Sequence, residues 1–316
     1  MMTFTFRPST RLHCLIRILL ILALLCLPSV AARENRDKAR PTIVFMTDYG
    51  TVDASVTICK GVMYSIAPDV RIVDLTHDVE PYSIRNGADF LHEVTPFFPA
   101  GTVFLAVIDP GVGGPQRPLV VRSRRKQYFV LRDNGLITAI ADRDGIEAVR
   151  EITNVAWMLG RNISSTFHGR DIFSPVAAHL AGGEDWVQVG PEVPGQNLQR
   201  VEITSPKFGP HGINGHVVRI DGPFGNLITD IAAEDFQKLG YEHGDQIAVH
   251  LNAQKISMPF MRTFSDVPKN QPLLYIDSRG RVALAMNRGN FAETHHIIPH
   301  IIPPVIITIP RPKTDQ

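Results

Sequence analysis

The segment VFLAVIDPGVGG, residues 103–114, constrains this chain more than any other stretch. Five consecutive apolar residues, Val103 to Val107, match a strand buried on both faces, as in a parallel sheet. Ile108 extends the run, which then ends in Asp109, Pro110 and three glycines among the next four positions. In open α/β sheets the carboxyl ends of parallel strands border the crevice where ligands bind. The glycines let backbone N–H groups approach a ligand closely, and Pro110 restricts the turn. Taken alone, an ordinary strand-to-loop turn explains the segment slightly better.

Three further segments share its shape. TIVFMTDYG (42–50) ends in Asp48 and a glycine, RIVDLTHD (71–78) in Thr76, His77 and Asp78, and YFVLRDNG (128–135) in Asp133, Asn134 and Gly135. One such ending is a turn, whereas four read as the rim of a site. Helical patterns between them are expected over residues 55–66, 83–94, 136–141 and 171–181. Alternating strands and helices predict an α/β N-terminal domain with a mainly parallel sheet, over residues 41–195. A Pro- and Gly-rich stretch, residues 190–212, carries the expected boundary. Beyond it the pattern changes to strands joined by tight turns, with one helical stretch at 233–239, which predicts a C-terminal antiparallel β-barrel over residues 205–306. The proline-spaced, isoleucine-rich tail is expected to close a sheet edge.

The N-terminus reads as an export signal. Arg7, Arg11 and Arg17 precede ten apolar residues, Ile18 to Leu27, and then Pro28, Ser29, Val30, Ala31 and Ala32. A charged region, a short apolar core and small residues suit cleavage near Ala32, so residues 1–32 are expected to be a signal peptide and the protein periplasmic or secreted. An uncleaved membrane anchor is the alternative, although the apolar run is short of the roughly 20 residues a span needs. Cys14 and Cys26 fall in this leader, which leaves Cys59 alone in the mature chain and excludes an intramolecular disulfide or a cysteine-based zinc cluster. The 316 residues carry a formal charge of +1, which offers no electrostatic case for a nucleic-acid partner. The basic run Arg122, Arg124, Arg125 and Lys126 lies between two strands and reads as a solvated hairpin turn.

Few residues carry a specific chemical signature. There is no GxSxG, HExxH or Walker loop. Asp48, Asp53, His77, Asp109 and His168 form a conceivable ligand set for a divalent ion. Their spacing is diffuse, and no metal and no cofactor is expected. His168 lies in the loop SSTFHGRD just ahead of a helix, where functional residues concentrate, while Asp171 reads as the cap of that helix. In the second half, Asp221, Phe224 and Asn226 lie in DGPFGN, and Ser278 and Arg279 in DSRG. Turn chemistry accounts for both except for Phe224, an aromatic at a turn tip suited to stacking or to an interface.

Taken in order, TDYGTVDASV, KGVMYSIAPDVRIVDLTH, FPAGTVFLAVIDPGVGG, DNGL, SSTFHGRD, DGPFGN and DSRG resemble the S-adenosylmethionine hydroxide adenosyltransferases. That family belongs to the superfamily of the fluorinase and chlorinase enzymes, and the resemblance covers residues 42 to about 293. It implies an α/β domain followed by a β-barrel, a homotrimer with sites at subunit interfaces, and hydrolysis of S-adenosyl-L-methionine to adenosine and L-methionine.

Carried over by position, the resemblance implies that Asp109 and His168 belong to a water-activating Asp–Arg–His group. The family shows two consecutive arginines after the glycines where this chain has Gln116 and Arg117. The catalytic one aligns with Gln116, and Arg117 is expected to reach in from the neighbouring position. Asp48 is expected to hold the ribose hydroxyls, with Asp53, Ser55 and Tyr82 nearby. Asp221 is expected to take the methionine ammonium, and Ser278 and Arg279 its carboxylate. Phe224, Asn226 and Phe264, with backbone near Asn287 and Arg288, are expected to line the adenine pocket. The fluorinase carries Tyr and Thr where this chain has Asp109 and Val112, which favours water over halide as the nucleophile. A halide-using adenosyl transferase, an exported nucleoside-binding protein without turnover and a metal-dependent hydrolase are the competing readings.

Overall fold

The computed structural model describes residues 41–202, 205–297 and 305–312. The leader-like segment 1–32 lies outside the described residues, and no helix among them is long and apolar enough to cross a membrane.

The first layered unit is a seven-stranded sheet. Its strands are β1 (Thr42–Thr47), β2 (Arg71–Thr76), β3 (Val103–Val107), β4 (Pro118–Ser123), β5 (Tyr128–Arg132), β6 (Ile146–Glu151) and β7 (Glu192–Val193). Their spatial order is β2-β1-β3-β5-β4-β6-β7. The first four in that order run parallel, and β4, β6 and β7 pair antiparallel. The basic run 122–126 closes the β4–β5 hairpin, as its position between two apolar strands predicted.

Strict alternation sorts the sheet into two cores, because successive side chains on a strand point to opposite faces. Ile43, Phe45, Val103, Leu105 and Val107 pack with helix α1 (Ser55–Ile66) through Cys59 and Met63. Val44, Met46, Phe104, Ala106 and Ile108 pack on the other face with α2 (Ile84–Val94) through Ala88 and Leu91. Phe104 stacks on Phe129 at 5.1 Å, and both are fully buried. Each such side chain contributes about 1.5–3 kcal/mol relative to exposure.

Two helical expectations shift. The helix expected at 136–141 forms as α3 (Thr138–Asp144), because the Asn134 side chain accepts from the Leu136 N–H and holds residues 134–136 in a turn. The helix expected from 171 is a π-helical turn, Gly169–Phe173, followed by α4 (Ser174–Ala181), which packs with α1 in the first core.

The second unit is an eight-stranded, antiparallel, nearly closed sheet: β8 (Lys207–Gly209), β9 (Gly212–Asp221), β10 (Asn226–Ala232), β11 (Gln246–Leu251), β12 (Gln254–Pro259), β13 (Pro272–Ile276), β14 (Arg281–Met286) and β15 (Ile306–Pro310). A bridge from Phe260 to Leu274 brings its ends together. Between its strands lie two short helices, α5 (Ala233–Gln237) and α6 (Phe291–Thr294). The tail strand β15 does not close an edge. It inserts between β9 and β11, because Ile307 and Ile309 alternate into the barrel core with no exposed surface.

Candidate active site

The connection from β1 to β2 moves the chain one way across the sheet, and the return to β3 crosses to the other side of β1. Helices α1 and α2 therefore fall on opposite faces, and the gap between β1 and β3 is the topological switch point where open sheets bind ligands. Asp48 follows β1 and Asp109 follows β3, so two carboxylates flank that gap. Asp48 is half-buried. Burial is the largest influence raising its pKa, the Tyr82 N–H that donates to its Oδ2 at 3.2 Å works against this, and the Asp109 charge adds to the rise.

Asp109 is the centre of a compact polar group. The Arg132 guanidinium donates from Nε and Nη2 to Asp109 Oδ2 at 2.9 and 2.8 Å. The same Nη2 lies 2.6 Å from His168 Nδ1, and Nη1 donates to the Gln116 carbonyl at 2.5 Å. Both side chains of the ion pair are buried, at 3% and 6% exposure, and the guanidinium lies 5.5 Å from the Phe173 ring. Asp109 Oδ1 is buried without a hydrogen-bond partner among the described residues. Burial pushes the His168 pKa down, the Arg132 charge pushes it further, and Asp109 and Asp171 oppose this.

Arg117 is not part of this group, which corrects the expectation drawn from its position. Its guanidinium donates to Asp133 Oδ2 at 2.6 and 3.2 Å, while Asp133 Oδ1 accepts from the Gln199 N–H. The reason is strand geometry. Pro118 pairs with Arg132 across the β4–β5 hairpin, and the consecutive Arg132 and Asp133 serve opposite sides of it. Gln116, in the position of the missing arginine, folds its side chain against Gly111. Sequence reasoning does not reach Arg132, because its partners lie 23 and 36 residues away. The one available signal was a buried-strand pattern ending in an arginine, since a charge at such a position needs a partner.

His168 is delivered by the π-helical turn, a form enriched at functional sites. Asp171 does not cap that turn. It is buried, pairs with Arg170 at 2.5 Å and accepts from the Ser164 N–H at 2.8 Å, which ties the loop carrying His168 to the helix behind it. A Cβ on Gly169 would lie 2.2 Å from Tyr49 Oη, so this glycine permits a close approach. Gly113 has φ +79°, and a Cβ there would sit 2.7 Å from the Ser165 carbonyl, so the Asp109 loop rests directly on the His168 loop.

His77, one of the conceivable metal ligands, is committed elsewhere: Nδ1 meets Thr47 Oγ1 at 2.9 Å and Nε2 meets Asp74 Oδ1 at 3.1 Å. Among the described residues no group of three or more His, Cys, Asp or Glu is placed to hold a metal.

A cleft of about 1070 Å³ opens between the two sheets. It is lined by Asp48 and Tyr82 from the first and by Asp221 and Arg279 from the second. Arg219 joins them, donating to both Glu93 oxygens at 2.7 and 2.8 Å and to Asp221 at 2.9 Å, while Arg279 meets Glu93 at 3.0 Å. The remaining expected residues lie outside this cleft. Asp53 is exposed and accepts from the Ser55 N–H at the start of α1. Phe224 is 65% exposed at the β9–β10 turn, next to the nearly buried Asn226. Phe264 packs edge-on against Tyr275 at 5.0 Å. Ser278 and Arg288 are exposed, and Asn287 donates to the Val267 carbonyl.

Residues 43–190 match the SAM hydroxide adenosyltransferase N-terminal domain, and residues 215–300 match its C-terminal domain. An (R)-S-adenosyl-L-methionine hydrolase of Salinispora tropica is 37% identical over 260 residues, spanning 82% of this chain and 95% of that protein. A fluorinase of Actinopolyspora mzabensis is 31% identical over 286 residues, with 82% and 95% covered. Among solved structures, an uncharacterised conserved protein of Thermotoga maritima superposes with a TM-score of 0.79 at 34% identity, covering 85% of this chain and all of that one. The chain belongs to the SAM hydroxide adenosyltransferase family.

Proposed function

We propose that this chain hydrolyses S-adenosyl-L-methionine to adenosine and L-methionine. The observation that carries the reading is the Asp109 carboxylate at the switch point, with one oxygen held by a guanidinium and the other buried and without a partner among the described residues. The names of the relatives from Salinispora tropica and, at 35% identity, Thermus thermophilus support it.

The chemistry asks little of the leaving group. Water oxygen attacks the ribose 5′ carbon, the carbon–sulfur bond breaks, and its electron pair returns to the sulfonium to give a neutral thioether. The water proton passes to Asp109 Oδ1. Holding the attacking oxygen in line contributes roughly 7–11 kcal/mol, and a placed base adds about 10²–10⁴-fold. Asp48 accepts from the ribose hydroxyls, and a carboxylate bonds vicinal hydroxyls more strongly than a neutral acceptor does.

The fluorinase relative supports a second reading, transfer of the adenosyl group to halide. A carboxylate at the point of attack repels a halide, which favours water. Incubation with S-adenosyl-L-methionine in chloride or fluoride, followed by product chromatography, separates the two. Adenosine and methionine are expected, and a 5′-halo product overturns hydrolysis.

Exposed Tyr82, Val112, Phe224 and Phe264, three of them aromatic and all expected at or beside the site, support completion of the site by a neighbouring copy in a homotrimer. The leader pattern of residues 1–32 supports export. Asp48→Ala is expected to weaken adenosine binding by about 1.5–3 kcal/mol, the worth of hydrogen bonds to a charged group, with a smaller change in kcat. Calorimetric titration with adenosine reads this directly.

A further inference from the structure

We propose that Arg132, delivered by β5, is the positioning residue of the water-activating group, and that it dictates which atom takes the proton. The inference rests on the hydrolytic reading and deepens it. A guanidinium only donates hydrogen bonds. With Arg132 Nη2 2.6 Å from His168 Nδ1, that nitrogen is the acceptor, and the neutral ring carries its proton on Nε2. The same guanidinium spends two donors on Asp109 Oδ2, which leaves Oδ1 as the free acceptor of the carboxylate. His168 thus offers a donor to the water oxygen while Asp109 Oδ1 accepts a water proton. One lone pair of the water is then left aimed at the 5′ carbon, so His168 orients the nucleophile and Asp109 is the base.

Arg132 is held at every nitrogen of its guanidinium. Its third nitrogen is fastened to the Gln116 carbonyl at 2.5 Å, its face lies over Phe173, and its side chain is buried. Functional groups carried by strands are placed more precisely than groups carried by loops, and Arg132 ends strand β5. Gln116, at the loop position, contributes only its main chain to this arrangement.

The test compares three variants with the wild-type chain by steady-state kinetics across pH, thermal midpoint, and ¹⁵N NMR of the His168 ring. The wild-type ring is expected as the Nε2–H tautomer. The groups facing it are Arg132 from β5, Asp109 from the loop after β3 and Asp171 from its own turn. In Arg132→Met the guanidinium is gone and both carboxylates remain, so His168 protonates at higher pH. The acid limb of kcat is then expected to move up, the ring to lose its single tautomer, and kcat to fall about 10²-fold, the scale of a misplaced reacting group, with KM changing less. Arg132→Lys supplies the charge without the fork and is expected to recover part of kcat. Arg117→Met breaks an ion pair of the same kind outside the group, and it is expected to lower the thermal midpoint without moving the acid limb or the tautomer.

An Arg132→Met protein with the wild-type acid limb and an unchanged Nε2–H ring overturns the proposal, as does a wild-type ring protonated on Nδ1. If the wild-type chain releases no adenosine, the hydrolytic reading fails instead, and the tautomer measurement still tests the geometry on its own.

Discussion

Asp109→Asn is expected to leave a folded protein whose adenosine release falls by about 10²–10⁴-fold, the worth of a placed base. The amide keeps an oxygen for the two Arg132 donors now on Oδ2, so the buried guanidinium retains an acceptor. Its NH₂ then stands where Oδ1 was, and a donor cannot take a proton from water. Asp109→Ala removes that acceptor as well and leaves a buried charge without its partner, which costs about 3–5 kcal/mol of stability. The amide variant is therefore the cleaner probe. Chromatography of the products against time measures turnover, and calorimetric titration with adenosine measures binding. A near wild-type rate in Asp109→Asn removes the base from the mechanism.

Gly169→Ala is expected to be nearly as damaging, although residue 169 need not touch the substrate. The added Cβ would lie 2.2 Å from Tyr49 Oη and 3.2 Å from Tyr49 Cζ. Tyr49 is partly buried and packs edge-on against Phe167 at 6.0 Å, so moving its ring away from the added Cβ disturbs that contact. Overpacking of this kind costs about 1–3 kcal/mol. The strain falls on the turn that carries His168, and a displacement of the order of an ångström costs about 10²-fold in rate. The companion is Gly169→Ala with Tyr49→Phe, which deletes the clashing oxygen and leaves contacts that small shifts absorb. The double variant is expected to recover stability and part of kcat, a coupling that a thermal midpoint and a rate constant both register. Independent, additive effects of the two substitutions would contradict the close approach.

The strands that frame the site were legible because each announces itself locally. Val103 to Val107 is a continuous apolar run closed by Asp109, Pro110 and glycines, and residues 42–47 and 128–132 follow the same rule. Asp109 and His168 were legible as candidates because each is a polar residue of the right chemistry in a loop at an element's end. Arg132 was not. It ends a strand and reads as the last residue before a turn, and its meaning arises only when β5 lies beside β3 and the loop before the π-helical turn folds over both. Arg117 misled for the complementary reason. It is adjacent in sequence to the position of interest, and adjacency along an extended chain means opposite directions in space. Asp171 has the composition of a cap, yet its buried pairing with Arg170 and the Ser164 N–H depends on a loop that closes back on it.

Periodicity and turn chemistry act over a few residues, so the sequence alone determined the order of elements, the alternation that sorts apolar side chains into two cores, and the polar endings of the parallel strands. Which polar endings meet is a matter of sheet order and register, set by packing between segments far apart in the chain. The tertiary structure alone therefore decided that Asp48 and Asp109 face one gap, that the guanidinium comes from Arg132, and that the tail strand β15 lies inside the barrel sheet. Short-range preferences write the elements, and the burial of their shared faces chooses the neighbours.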